Sequence, residues 1–198
     1  MKRYFPVLRY VNVPNAITTA GLFFGILACY YLMQGMLRNT IVCLFIATLM
    51  DLADGFSAAK LNQRTRFGEY MDALVDYFTC CVIPVLMLYR FAGGGVIIFA
   101  ASAFYAVCGL WRLAYFITVT AGEKQPYFTG LPVPGAMFVS VASVWLAVVH
   151  GVSAWFCAAV FVMMGLLMVS SLRIKKYGVS QKLFWATWLV FLAVIALL

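Results

Sequence analysis

The sequence predicts an all-α integral membrane protein, a polytopic bundle of about seven transmembrane helices. Hydrophobic residues make up 66% of the chain and charged residues only 10%, whereas soluble domains carry roughly 25% charged residues. The mean hydropathy is +1.00. The apolar stretches are long and continuous, which favours helices over the alternating strands of a membrane barrel. We therefore expect one membrane domain over residues 1–198.

The membrane spans follow from the length of the apolar stretches. A helix needs about 20 residues to cross the hydrocarbon core, because each residue rises about 1.5 Å. Seven stretches meet or approach that length. They are residues 15–35, 39–59, 69–91, 94–118, 131–149, 151–172 and 181–198.

Local signals refine the ends of these spans. Residues 1–13 mix basic and aromatic side chains, as in a short interfacial segment that lies on anionic lipid. Pro14 suits the first turn of a helix, where its missing N–H costs little. Gly21 and Gly25, four residues apart, would let the first span pack closely on a neighbour. The prolines before the fifth span predict regular helix there only from about Gly135.

The basic residues predict the orientation. The net charge is +8, and lysines and arginines concentrate in the cytoplasmic loops of membrane proteins. If the N-terminus is cytoplasmic, all of the 14 lysines and arginines except Arg38 and Arg90 fall on the cytoplasmic side. Membrane topology therefore explains the positive charge, and we expect no nucleic-acid partner.

Negative charge gathers in one stretch, DLADGFSAAKLNQRTRFGEYMDALVD at 51–76, which holds five of the six acidic residues. Asp51 and Asp54 are three residues apart and share one face at the end of the second span. Asp72 and Asp76 are four apart and share one face at the start of the third. Because these spans are antiparallel neighbours, we expect the two acidic faces to meet at the cytoplasmic interface.

Four carboxylates at one level of a membrane need a compensating charge, since ionised side chains inside spans are costly. Two divalent cations would neutralise them, and carboxylate oxygens favour hard ions, here Mg²⁺ or Mn²⁺ with Ca²⁺ as a further candidate. Paired hard cations commonly hold a phosphoryl group in displacement reactions. Gly55 and Gly68 leave the backbone open to a phosphate or nucleotide, and Ala58 keeps the same face of the second span small. Glu69 points about 60° away from Asp72. A proton relay or ion path of buried carboxylates is the alternative.

These residues form a known pattern. The order Asp-x-x-Asp-Gly-x-x-Ala at 51–58, then Gly-x-x-x-Asp-x-x-x-Asp at 68–76, resembles the signature of the CDP-alcohol phosphotransferases, also called CDP-alcohol phosphatidyltransferases. Further segments resemble the type II phosphatidylserine synthases within that family. They are VPNAIT at 13–18, WRLAYF at 111–116, PYFTGLPVPGA at 126–136 and LMVSSLRIKK at 167–176.

The resemblance implies a six-helix core that transfers a phosphatidyl group by two-metal catalysis in a prokaryotic cytoplasmic membrane. CDP-diacylglycerol would be the donor, the hydroxyl of L-serine the acceptor, and phosphatidylserine and CMP the products. Asp51, Asp54 and Asp72 would ligate the cations, and Asp76 would be both a ligand and the general base. The resemblance also implies a homodimer, with its active site on the cytoplasmic side.

The same resemblance points to residues that would bind the substrates. Arg112 would meet the acceptor's carboxylate or a lipid phosphate, although an arginine that only reaches toward the interface is the alternative. The residues expected at the nucleotide and diphosphate are Thr18, Gly55, Ala58, Lys60, Arg64 and Gly68.

Two positions depart from the family pattern. Ala59 stands where the family has an arginine, and the adjacent Lys60 cannot reproduce a bidentate grip on phosphate. Ala73 stands where the serine-using enzymes have a serine. The acceptor therefore stays open between serine and another alcohol, namely choline, inositol phosphate or glycerol phosphate. A non-catalytic lipid- or ion-binding membrane protein is the alternative from a different class.

Overall fold

The computed structural model describes residues 6–120 and 127–175, and it confirms an all-α polytopic membrane fold. A short 3-10 helix, Pro6–Tyr10, precedes the first long helix. The helices are α1 (Val13–Met33), α2 (Leu37–Lys60), α3 (Arg66–Asp76), a π-helical segment (Tyr77–Val82), α4 (Ile83–Ala92), α5 (Val96–Thr120), α6 (Val133–His150) and α7 (Ala154–Val169). Two short strands, β1 (Tyr127–Thr129) and β2 (Arg173–Lys175), complete the described part.

Five helices in this part of the chain are long and apolar enough to cross a membrane. They are α1, α2, the continuous helix Arg66–Ala92, the helix Val96–Val119 within α5, and α6. The sixth predicted span, 151–172, is a shorter apolar helix, because Ser153 caps its start and the chain leaves helical geometry at Ser170. The predicted span 181–198 lies outside the described residues.

Glycines of α1 bring it close to two neighbours. A Cβ on Gly21 would lie 3.3 Å from Cβ of Met50 in α2. A Cβ on Gly25 would lie 2.9 Å from Cγ2 of Thr79 in the π-helical segment. Both distances are tighter than ordinary van der Waals contact, so the close packing predicted for this face is confirmed.

The two strands are a feature that the apolar pattern did not predict. They pair antiparallel, with Phe128 opposite Ile174. Gly130 follows β1 with a φ of +76°, and a Cβ there would lie 2.3 Å from the carbonyl oxygen of Met168. The segment before α6 is therefore held against the end of α7.

The start of α6 corrects one sequence expectation. The helix begins at Val133 and not near Gly135, because Pro132 is its N-cap and Pro134 lies in its first turn. A proline there removes an N–H that would have no partner inside the helix.

Candidate active site

Three carboxylates come together where α2 and α3 face each other. Asp51, near the end of α2, lies opposite Asp72 and Asp76, which are one turn apart on α3. One carboxylate oxygen from each of the three lies within 4.8 Å of the other two. The structure thus brings the two predicted acidic faces together, in the half of each long helix that lies nearer the 61–65 connection.

The fourth predicted ligand, Asp54, lies beside this group and has a partner of its own. Its side chain is buried, with 6% of its surface exposed. Its carboxylate accepts a hydrogen bond from the hydroxyl of Thr18 in α1. That hydroxyl also lies 3.1 Å from the carbonyl oxygen of Pro14, so its single proton serves one acceptor at a time. Thr18 therefore contacts a carboxylate directly, which the sequence resemblance did not indicate.

All four aspartates line one recess of about 280 Å³, a volume that includes its open mouth. The remainder of its lining comes from α1, α2 and the helix that begins with α3. These residues are Thr18, Gly21, Ala47, Thr48, Val75, Thr79 and Cys80. The recess therefore has acidic walls and a floor of small side chains.

Two threonines of the floor were missed by sequence reasoning. Thr48 precedes Asp51 by three residues, and Thr79 follows Asp76 by three, so each lies one helical turn from a carboxylate. Their hydroxyls donate to the carbonyls of Leu44 and Val75, at 3.0 and 2.9 Å. Threonines in spans commonly bond in this way, and only their spacing from the aspartates could have indicated them.

The donor set fits a hard divalent cation. Each of the three close groups is a carboxylate, the ligand type that Mg²⁺, Mn²⁺ and Ca²⁺ prefer. The neighbours of Asp76 in this group, Asp51 and Asp72, are carboxylates as well. Like charges this close repel, and a cation held among them would relieve that repulsion.

Four of the predicted nucleotide-binding residues do not line the recess, and their surroundings differ. Gly55 is exposed, and apart from its own helix backbone and chain neighbours no atom lies within 4 Å of where its Cβ would be. Ala58 is half-buried, and Lys60 and Arg64 are exposed at and beyond the end of α2. The backbone at Gly55 is therefore open to a ligand.

Gly68 has a packing reason to lack a side chain. A Cβ there would lie 2.8 Å from Oδ1 of Asn15 and 3.2 Å from Oγ1 of Thr65. Asn15 is buried, and its side-chain amide nitrogen Nδ2 donates to the carbonyl oxygen of Tyr10 at 2.8 Å. Gly68 thus allows the start of α3 to approach α1, whereas the sequence suggested an open approach for a ligand.

Arg112 is buried on α5, with 6% of its surface exposed. Its guanidinium carbon lies 5.6 Å from the ring centroid of Phe116, and its Nε has no hydrogen-bond partner among the described residues. Three residues before it, Gly109 faces Cys81 of the π-helical segment. Because α5 runs antiparallel to that helix and rises about 1.5 Å per residue, Arg112 lies within roughly one turn of the level of Asp76.

Comparison with known proteins agrees with this geometry. The sequence matches the model of the family described as CDP-alcohol phosphatidyltransferase over residues 11–167, which include every residue that lines the recess. A CDP-diacylglycerol–serine O-phosphatidyltransferase of Bacillus subtilis is 29% identical over 126 residues, 63% of this chain and 70% of the relative. One from Methanocaldococcus jannaschii is 24% identical over 173 residues, 87% of this chain and 78% of the relative.

A third relative carries a different name. It is a CDP-diacylglycerol–glycerol-3-phosphate 3-phosphatidyltransferase of Aquifex aeolicus, 38% identical over 66 residues, which is 33% of this chain and 37% of the relative. The family model nevertheless covers well over half of the chain, and the aspartates of its recess stand at the spacing described above. The chain belongs to the CDP-alcohol phosphatidyltransferase family.

Proposed function

We propose that this protein transfers the phosphatidyl group from CDP-diacylglycerol to the hydroxyl of L-serine, which yields phosphatidylserine and CMP. The observation that carries the proposal is the approach of Asp51, Asp72 and Asp76 to within 4.8 Å at the mouth of a membrane bundle. The names of the relatives from Bacillus subtilis and Methanocaldococcus jannaschii support serine as the acceptor.

The four aspartates have two roles in the proposed reaction, as metal ligands and as the general base. Asp51, Asp54, Asp72 and Asp76 would hold two divalent cations, Mg²⁺ or Mn²⁺, with Ca²⁺ as a further candidate. Such ions, when bound, stabilise the negative charge that develops on phosphate oxygens. Asp76 accepts the proton of the serine hydroxyl as the general base. The hydroxyl oxygen then bonds to the lipid-side phosphorus, the bond from that phosphorus to CMP breaks, and CMP leaves.

Gly55, Ala58, Lys60 and Arg64 bind the nucleotide and the diphosphate. The open backbone at Gly55 allows close approach of a phosphate, and Ala58 keeps the adjacent face of α2 small. Lys60 and Arg64 are exposed cations on the same side. In place of the arginine that the family has at position 59, they neutralise the diphosphate by charge, without a fixed bidentate geometry.

Arg112 binds an anionic group of the acceptor or of the lipid. A buried guanidinium whose Nε lacks a partner among the described residues is suited to a carboxylate or phosphate. Its burial within the bundle argues against the alternative of an arginine that merely extends to the interface. A carboxylate of serine would satisfy it at the level of the reacting hydroxyl.

The protein would act at the inner face of a prokaryotic cytoplasmic membrane, as a homodimer. The aspartate end of the bundle also carries Lys60, Arg64 and Arg66, whereas Arg38 and Arg90 lie at the opposite end. This distribution supports a cytoplasmic recess. A water-soluble acceptor and a lipid donor would meet at this end of the bundle.

The test uses the purified full chain in nanodiscs with CDP-diacylglycerol, Mn²⁺ or Mg²⁺, and serine, choline, inositol phosphate or glycerol phosphate. We expect CMP release with serine, and none from Asp76→Asn. Glu69→Gln is the matched control, since Glu69 is an exposed carboxylate on the same helix that does not line the recess. It should keep its turnover.

Two outcomes would redirect the proposal. CMP release with glycerol phosphate but not with serine would keep the chemistry and change the acceptor, as Ala73 and the Aquifex aeolicus relative make conceivable. Absence of CMP release with any of these alcohols would favour a non-catalytic lipid- or ion-binding protein.

A further inference from the structure

The helix that carries Asp72 and Asp76 changes its geometry directly after Asp76. The segment Tyr77–Val82 is π-helical, and the amide of Ile83 donates to the carbonyl of Phe78, five residues before it. A π-helical turn holds an additional residue, which rotates the preceding side chains by about 100° relative to those that follow. The segment therefore sets the direction in which α3 presents its carboxylates.

The sequence contains a cause for this change, Pro84. In a regular α-helix the carbonyl of Cys80 would accept a hydrogen bond from the amide of residue 84. Proline has no amide hydrogen, and its ring presses against the carbonyl four residues before it. The helix must deform here, and the carbonyl of Cys80 needs another donor because it is buried.

Tyr105 of α5 supplies that donor. Its hydroxyl donates to the carbonyl oxygen of Cys80 at 2.8 Å. The side chain is fully buried, and its ring centroid lies 5.0 Å from that of Phe161. One turn along α5, Gly109 permits the close approach, since a Cβ there would lie 2.3 Å from Sγ of Cys81.

The held carbonyl lies next to the reacting groups. Cys80 and its neighbour Thr79 line the same recess as Asp76, and Cys80 follows Asp76 by four residues, about one turn. We propose that Tyr105 is a positioning residue, whose hydroxyl fixes the π-helical segment and through it the placement of Asp76 among the carboxylates. The inference rests on the proposed function, because it assigns to those carboxylates the binding of a divalent cation.

The test compares two tyrosine-to-phenylalanine variants. Tyr105→Phe removes only the hydroxyl that bonds the π-helical segment. Tyr89→Phe is the matched control, because the hydroxyl of Tyr89 in α4 bonds the hydroxyl of Ser102 in α5, and Ser102 does not line the recess, whereas Cys80, the partner of Tyr105, does. Each variant removes one tyrosine hydroxyl that bonds across the same pair of helices, Arg66–Ala92 and α5. A purely structural role predicts similar effects for both.

Binding of Mn²⁺ to the metal-free full chain, measured by electron paramagnetic resonance, is the main readout. We expect Tyr105→Phe to weaken Mn²⁺ binding about tenfold, as residues that orient metal ligands do, and to lower kcat for CMP release. Tyr89→Phe should stay within about twofold of the wild type in both.

The outcomes separate the inference from the proposed function. Equal Mn²⁺ affinity in Tyr105→Phe and the wild type, or equal losses in the two phenylalanine variants, would overturn the positioning role. If the wild type binds Mn²⁺, Asp51→Asn abolishes that binding and the wild type releases no CMP, the transferase proposal is overturned. The positioning role then stands on the affinity data alone. A wild type that binds no Mn²⁺ would overturn both.

Discussion

A methyl group on Gly109 would test how tightly α5 packs on the π-helical segment. In Gly109→Ala the new Cβ would lie 2.3 Å from Sγ of Cys81, whereas ordinary contacts begin at 3.4 Å. The two atoms must therefore separate by about 1.1 Å. Cys81 is fully buried, so its sulfur has no solvent to move into. Overpacking of this kind destabilises a protein by about 1–3 kcal/mol.

The clash has a specific remedy, which makes the magnitude testable. Without its sulfur, residue 81 would offer only its Cβ, at 3.6 Å from the new methyl group, an ordinary contact distance. Cys81→Ala alone should lose about 1 kcal/mol of stability by leaving a small cavity. The double variant Gly109→Ala/Cys81→Ala should be more stable than the sum of the two single losses, with a coupling of about 1–2 kcal/mol.

The free energy of unfolding can be measured by titrating SDS into the protein in dodecyl maltoside and following its circular dichroism. Gly94→Ala is a suitable control, because no atom lies within 4 Å of its Cβ position and it belongs to the loop between α4 and α5. Unchanged stability of Gly109→Ala would refute the contact. Additive losses in the double variant would show that the strain lies elsewhere than at the Cys81 sulfur.

Three further perturbations follow from the same structure. Thr18→Val keeps the shape of the side chain but removes the hydroxyl that donates to Asp54. Because a hydrogen bond to a charged group is worth about 1.5–3 kcal/mol, the rate of CMP release should fall about tenfold, whereas Thr18→Ser should retain most turnover. Gly130→Ala should unfold at a lower temperature than Gly151→Ala, as thermal denaturation would show. Both glycines have a positive φ, but of the two only Gly130 would place a Cβ against a carbonyl oxygen, at 2.3 Å, and a backbone oxygen cannot move aside as a flexible side chain can. In a chelator, Asp51→Asn should be more stable than the wild type, because the change removes like-charge repulsion. With a cation at 100 times its Kd, the variant should lack the stabilisation of about 2.7 kcal/mol that the wild type gains.

The apolar pattern predicted the helices well because a lipid environment leaves the backbone few alternatives. The spacing of the aspartates likewise predicted that Asp51 would meet Asp72 and Asp76, since the positions that share a helix face are determined by the helical repeat. Both inferences depend on local geometry. That geometry does not change with the remainder of the fold.

Contacts between distant segments were beyond the reach of the pattern. Thr18 bonds Asp54 across 36 positions, and Tyr105 bonds Cys80 across 25. Neither pair has a spacing rule, because the packing of separate helices decides which residues meet. Gly68 shows the same limit. The sequence suggested an opening for a ligand there, whereas the missing side chain is explained by the close approach of Asn15 on another helix.

The placement of these distant contacts explains how the bundle can hold several carboxylates together. Each acidic residue inside a span lowers stability unless it is compensated, and mutual repulsion would rotate the helices apart. Thr18 holds one carboxylate from α1, and Tyr105 holds the backbone beyond another from α5. The restraints therefore come from two helices that contribute none of the four aspartates. If cations bind these carboxylates as proposed, they would relieve that repulsion, and the same contacts would then affect both metal affinity and fold stability.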